Sequence, residues 1–109
     1  MKNLKIGNLI AKIPIIQGGM GVGISMSSLA SSVANEGGIG VIATAGIGMM
    51  KKTDAGLNLR ESNIVALREE IREARRKTGG ILGVNIMTAL TDFSDMVKAS
   101  VEEGIDIIF

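Results

Sequence analysis

The chain has 109 residues, enough for one compact domain, and its 46% hydrophobic and 21% charged residues with a mean hydropathy of +0.35 argue against disorder. Twelve basic against eleven acidic residues leave a net charge of +1, which gives no electrostatic reason to expect a nucleic acid or an anionic membrane as partner. Cys and His are absent and two Phe are the only aromatics, which excludes disulfides, a thiolate nucleophile, Cys-based metal sites and the commonest general base, so any chemistry must come from a bound cofactor or from residues outside this stretch.

The basic start, Met1 to Lys5, leads into no long apolar segment, because Gly7, Asn8, Lys12 and Pro14 interrupt it; this argues against a signal peptide. No apolar run approaches the ~20 residues of a membrane span, so a cytoplasmic location is expected. Leu4 to Ile10, around Gly7-Asn8, reads as a small hairpin plugging one end of a sheet. Ile13-Pro14-Ile15-Ile16-Gln17, closed by Gly18-Gly19, predicts a buried first strand. Met26, Leu29, Ala30, Val33 and Ala34 then recur with helical spacing, Ser25 is placed to cap that helix, and Gly37-Gly38 stops it. Ile39 to Thr44 is the second strand.

Residues 45–60, with Gly46, Gly48, Gly56 and the polar set Lys51, Lys52, Thr53 and Asp54, read as a long loop. Ser62 is expected to cap a second helix whose Ile64, Leu67, Ile71 and Ala74 share a face. Glu69, Arg72, Glu73, Arg76 and Lys77 would form its solvated side. Gly79-Gly80 ends it, and a third strand runs from about Ile81 to Met87. A third helix, capped by Thr91 or Asp92, places Phe93, Met96, Val97 and Val101 on one side and stops at Gly104. Ile105 to Phe109 is a fourth strand.

The order β-α-β-α-β-α-β, with apolar strands and one-sided helices, predicts a parallel sheet with crossover helices. It fits either an open doubly wound sheet or half of a (β/α)₈ (TIM) barrel, which needs roughly 200 residues or more. A bare Ile-Ile-Phe strand at the end leads us to expect a part of a longer protein.

Gln17-Gly18-Gly19-Met20-Gly21-Val22-Gly23 is the densest motif. Its glycines let a flat or phosphorylated ligand approach the backbone, at the carboxyl end of a strand, where ligands sit in parallel α/β proteins. The plain alternative is a flexible connector. The spacing is not G-x-G-x-x-G. Gly38-Ile39-Gly40-Val41-Ile42-Ala43 does match G-x-G-x-x-A, but it opens a strand where that fingerprint must close one. Asn85, within Gly83-Val84-Asn85-Ile86, is an amide in an apolar strand and needs a hydrogen-bond partner, either a neighbouring backbone group or a ligand. Met20, Met49, Met50 and Met87 are candidates for a soft pocket lining, whereas Met26 and Met96 fit helix faces. Lys51 to Asp54 reads as a solvated loop tip before a phosphate site.

Pro14-Ile15-Ile16-Gln17-Gly18-Gly19-Met20, Ser28-Leu29-Ala30, Val33 to Gly40 and Gly83-Val84-Asn85-Ile86 together resemble the nitronate monooxygenase (2-nitropropane dioxygenase) family, with much of the pattern shared by flavin-dependent enoyl-acyl-carrier-protein reductases. The resemblance spans about residues 12 to 109. It implies the N-terminal half of a single FMN-binding (β/α)₈ barrel domain, with Gly18, Gly19, Met20 and Gly21 along the isoalloxazine ring and ribityl chain and Asn85 hydrogen-bonded to the flavin. It also implies a small-molecule substrate, and no metal; a homo-oligomer is compatible with it. The phosphate loops and the catalytic His of many members would fall past Phe109, so no catalytic residue can be named here. The implied reaction is oxidation of alkyl nitronates with O₂. Reduction of an enoyl thioester with NAD(P)H is the alternative; a non-catalytic nucleotide-binding module or a self-associating half barrel are alternatives of another class.

Overall fold

A computed structural model describes residues 2–50 and 57–109. The expected hairpin is present as β1 (Leu4–Ile6) and β2 (Leu9–Ala11), antiparallel with Leu4 opposite Ala11. Gly7 turns it with a positive φ of 57°, a conformation open to glycine at no steric cost.

Residues 13–17 depart from the expected buried strand. They meet the sheet through a single parallel bridge, Ile16 to Ile39, and Ile15 and Ile16 remain 54% and 45% exposed. Pro14 contributes no N–H, and the segment has a sheet neighbour on one side only.

The first helix, α1 (Ser27–Asn35), is not capped by Ser25. Met26 occupies the cap position without a side-chain bond. The Ser27 N–H instead donates to Glu70 Oε2 at 2.8 Å, a buried carboxylate from the next helix placed at the positive end of the α1 dipole. The strand β3 (Ile39–Ala43) is buried throughout. α1 sits so close on it that a Cβ at Gly40 would come within 1.8 Å of the Ala30 carbonyl oxygen. The Gly38–Gly40 spacing thus serves helix-on-strand packing at the opening of a strand.

Within the expected 45–60 loop, Ile47–Met50 forms a 3-10 turn and Leu59 already begins α2 (Leu59–Lys77). Lys51, Lys52, Thr53, Asp54 and Gly56 lie outside the described residues. Ser62 is not the cap of α2; it is buried within the helix. Asn58 caps it in a box with Glu61: the Glu61 N–H donates to Asn58 Oδ1 at 2.8 Å, and the Asn58 N–H to Glu61 Oε2 at 3.3 Å. Two free amides are satisfied that way, against one for a lone serine.

Leu67, Ile71 and Ala74 are buried as expected, with Ile64 packed at the margin. On the charged side of α2, Glu69, Arg72, Arg76 and Lys77 are exposed as expected, and arginines of the helix also reach carboxylates at the end of α3 and beyond it. Arg72 forks onto Glu103 at 2.6 and 2.8 Å, Arg68 reaches Glu102 at 2.5 Å and Glu103 at 3.2 Å, and Arg75 ties to Asp106 at 2.7 Å. The hydrogen bond from Arg72, seconded by Arg68, holds the Glu103 carboxyl below the usual carboxylate range against the opposing effect of burial.

After β4 (Ile81–Asn85), α3 (Phe93–Glu102) follows Asp92 and buries Met96, Ala99 and Ser100. Val101, expected on the buried side, is exposed. The stripe that starts at Met96 continues at the third and fourth residues along, and Val101 is the fifth. β5 is Ile107–Ile108.

The sheet β3-β4-β5 is parallel and in sequence order, Ile39 pairing with Ile81 and Gly83 with Ile107. Residues of all three helices pack into one cluster with Ile42, Leu82 and Val84. Ile39, Val41, Ile81 and Ile107 point the other way, toward Leu4 and Ala11 of the hairpin. Each fully buried Leu, Ile or Met of the helix side contributes roughly 1.5–3 kcal/mol. A doubly wound sheet covers both faces with helices and reverses its strand order. Among the described residues the helices of this α/β architecture pack on one face of the sheet and its three strands lie in sequence order.

Candidate functional site

The segment after Gln17 cannot continue as a strand, because the Gln17 side chain occupies the next pairing position on β3. Its Nε2 donates to the Val41 carbonyl and its Oε1 accepts the Val41 N–H, both at 3.0 Å. The backbone therefore lifts away as the loop Gly18 to Ile24, at the carboxyl ends of the strands.

Ser25 holds that loop from below. It is 1% exposed; its hydroxyl accepts the Met20 N–H at 2.9 Å and donates to the Gly18 carbonyl at 3.2 Å. Its own N–H donates to the Met20 carbonyl, and its carbonyl accepts the Ala43 N–H at the end of β3, both at 2.9 Å. A serine just ahead of a helix reads as a cap. Here the same hydroxyl spans a tight turn, an alternative local bond open to serine.

The structure brings Gly19 and Asn85 together. A Cβ on Gly19 would lie 2.7 Å from Asn85 Cβ and 3.2 Å from its Cγ, so the bare glycine backbone packs against the side chain. Gly18 has nothing within 4 Å of where a Cβ would stand, and Gly21 faces the Ala45 carbonyl at 3.1 Å. Met20 is exposed beside them. Asn85 is half-buried; its carbonyl accepts from both the N–H and the hydroxyl of the buried Thr44, at 3.2 and 2.9 Å. Its side-chain amide has no hydrogen-bond partner among the described residues. Of the two uses open to it from the sequence, the bond to a neighbouring backbone group is not made.

Around this pair, Met49, Met50 and Met87 are exposed like Met20, while Met96 is fully buried in the core and Met26 packs against it. The Met50 side chain lies against Gly23, whose φ is 78°, and the Met49 sulfur is near Gly46. Gly83 is explained by packing, since a Cβ there would meet the Phe109 ring at 2.8 Å. Gln17, Ser25 and Thr44 are the residues that sequence reasoning missed. Only Gln17 left a signal, a polar end to an apolar strand.

A cavity of about 510 Å³ lined by Lys12, Asn35, Glu36 and Gly79 lies elsewhere, at the amino ends of β3 and β4. Its polar groups converge on nothing, and ligands of parallel α/β proteins sit at the opposite end. The Gly19–Asn85 site fits a flat group with polar atoms at its edge: exposed backbone without side chains, and an amide free to donate and accept. It fits no proton-transfer role, for none of its side chains titrates near neutrality.

The chain matches the nitronate monooxygenase family over residues 2–106. No curated protein matches it. Among solved structures it is similar to FabK from Thermotoga maritima, at 29% identity and a TM-score of 0.65, over 87% of this chain and 25% of that one. It is also similar to a methionine-to-alanine variant of that FabK, at 34% identity and a TM-score of 0.66, over 87% of this chain and 27% of the other. The chain therefore spans about a quarter of the length of those structures.

Proposed function

The chain belongs to the nitronate monooxygenase family, and on that footing we propose that it is the N-terminal half of a (β/α)₈ barrel oxidoreductase that binds FMN without a covalent bond and oxidises alkyl nitronates with O₂ to a carbonyl compound and nitrite. Sequential parallel strands with helices on one face support the barrel. The observation that carries the site is the Asn85 amide, without a hydrogen-bond partner among the described residues and packed on the bare backbone of Gly19.

In this reading the backbone of Gly18, Gly19, Met20 and Gly21 lies along the flavin, and Asn85 bonds its polar edge. FMN held there would supply the redox chemistry that couples oxidation of the substrate to O₂. This chain's own share is to bind and orient. Glycine backbone would admit the ring closely, the Asn85 amide would fix its rotation, and the exposed Met20, Met49 and Met50 would offer it apolar surface. A small-molecule substrate and a cytoplasmic location belong to the same reading. Among the described residues no helix is long and apolar enough to cross a membrane.

The test is purification of the intact protein, with uptake of FMN followed by its absorbance bands and nitrite release followed on an alkyl nitronate in air. A protein that stays colourless after incubation with FMN ends the reading. A flavoprotein that releases no nitrite but consumes NAD(P)H with an enoyl thioester transfers it to the reductase branch.

A further inference from the structure

A regular parallel ladder places its bonds at even spacing, each residue of one strand bonding to the residues on either side of its partner. The Gln17 N–H donates to the Ile39 carbonyl at 3.0 Å, in step with that pattern. The next two bonds would run from the Val41 N–H to the Gln17 carbonyl, and from the Gly19 N–H to the Val41 carbonyl. Neither is made. The Gln17 carboxamide takes both places, for it carries the same donor and acceptor as a peptide group. The Gln17 carbonyl and the Gly19 N–H are left without a hydrogen-bond partner among the described residues. On either side of Gly19 the backbone is tied: the Gly18 carbonyl and the Met20 N–H share the Ser25 hydroxyl. The free N–H thus stands in a fixed turn against Asn85.

We propose that Gln17 is a positioning residue: its carboxamide stands in for two backbone bonds of the sheet so that the Gly19 N–H and the Gln17 carbonyl face the bound flavin beside Asn85, with Ser25 as the second tie that holds the turn. The proposal rests on the flavin reading and adds to it the reason the loop backbone is available to a ligand. A flavin edge alternates acceptors with a donor, which suits one free N–H, one free carbonyl and one amide.

Gln17→Ala in the intact protein tests it. Without the carboxamide, the backbone is free to close the regular ladder, so the Gly19 N–H acquires the Val41 carbonyl. Amide hydrogen exchange at Gly19 should slow while Val41 stays protected. The melting temperature of the apo-protein should change little, and FMN affinity should fall by about tenfold or more. If this variant does not fold, Ser25→Ala removes the second tie without adding volume at this buried position. It should lower FMN affinity by about tenfold or more, and an affinity within about twofold of wild type overturns the proposal. A folded Gln17→Ala that binds FMN within about twofold of wild type overturns the proposal and leaves the flavin reading intact. So does one that loses affinity while Gly19 exchanges as fast as before and the apo-protein melts lower, since that marks a merely structural glutamine. A wild-type protein that takes up no FMN overturns both together.

Discussion

Along β3, Gly40 lies beneath the Ala30 carbonyl, where a Cβ would come within 1.8 Å; at the carboxyl end of the strands, Gly18 has nothing within 4 Å of the same position. The two stretches, Gly37 to Gly40 and Gly18 to Gly23, look alike as sequence. At Gly40 the side chain is missing because helix backbone presses on strand backbone; at Gly18 nothing presses on the position at all, although its neighbour Gly19 packs against Asn85. The lesson is that a glycine's meaning lies in its neighbours: absence of a side chain closes a gap in the first place and keeps a surface open in the second.

The largest effect is expected at Gly40. Gly40→Ala must push α1 off the sheet or fail, and overpacking at such a contact costs about 3 kcal/mol or more. We expect a cooperative unfolding transition shifted to far lower denaturant, or no folded protein. A Gly40→Ala midpoint equal to wild type would remove packing as the reason for that glycine.

At the open end, Asn85→Ala should act on the ligand and spare the fold. Its amide bonds no group among the described residues, so FMN binding should weaken by about 1–3 kcal/mol, or roughly 5- to 150-fold, with apo-protein melting nearly unchanged. A destabilised apo-protein with unaltered FMN affinity would place Asn85 on the packing side of the comparison.

A smaller effect probes the helix side through pH. Glu103 has its folded pKa depressed, so its contribution to stability is complete above the ordinary carboxylate value of about 4.3 and is lost as pH falls through the lower folded value. Arg72 stands largely in solvent, so the loss should be roughly 1 kcal/mol at most. Glu103→Gln should flatten that part of the acid limb in a stability-versus-pH series. An unchanged limb would show that the α2–α3 ion pairs contribute nothing measurable.

The smallest effect sharpens the contrast with Gly40. Gly18→Ala meets open space and should change stability by less than about 0.5 kcal/mol, as read by denaturant midpoint. A large loss would mean the turn is strained in a way its surroundings do not show.

The hairpin, the order of the elements after residue 17 and the buried face of α2 were legible because hydrophobic period and glycine punctuation act locally. So was the glycine loop with Asn85, since both break a local rule. On α1, Leu29 of the expected face is exposed, and Ser27 and Ser31 are buried beside Ala30 and Ala34. What the sequence did not disclose depends on residues distant along the chain. Gln17 bonds Val41, 24 positions away, and Glu70 reaches Ser27, 43 positions away. Ser25 and Ser62 were misread as caps because serine offers the same hydroxyl to any nearby backbone. Asn58 with Glu61 won at α2 by satisfying two amides at once. Val101 shares helical spacing with Phe93 and Val97, but that line runs beside the buried stripe of Met96, Ala99 and Ser100.

The reach of Glu70 to the first amide of α1 also bears on the order in which this chain takes shape during synthesis. A nine-residue helix with four serines is too short and too poor in helix formers to persist alone. The acceptor that completes its first turn leaves the ribosome 43 residues later, an interval of roughly 2 to 9 s at bacterial or eukaryotic rates. Until then the leading N–H of α1 has only water to bond, and the helix has no α2 to lie against. Nascent chains stalled just before and well after Glu70 should therefore differ in protease sensitivity at residues 27–35, the earlier being cut readily. Equal protection in both would mean that α1 is secured by β3 alone.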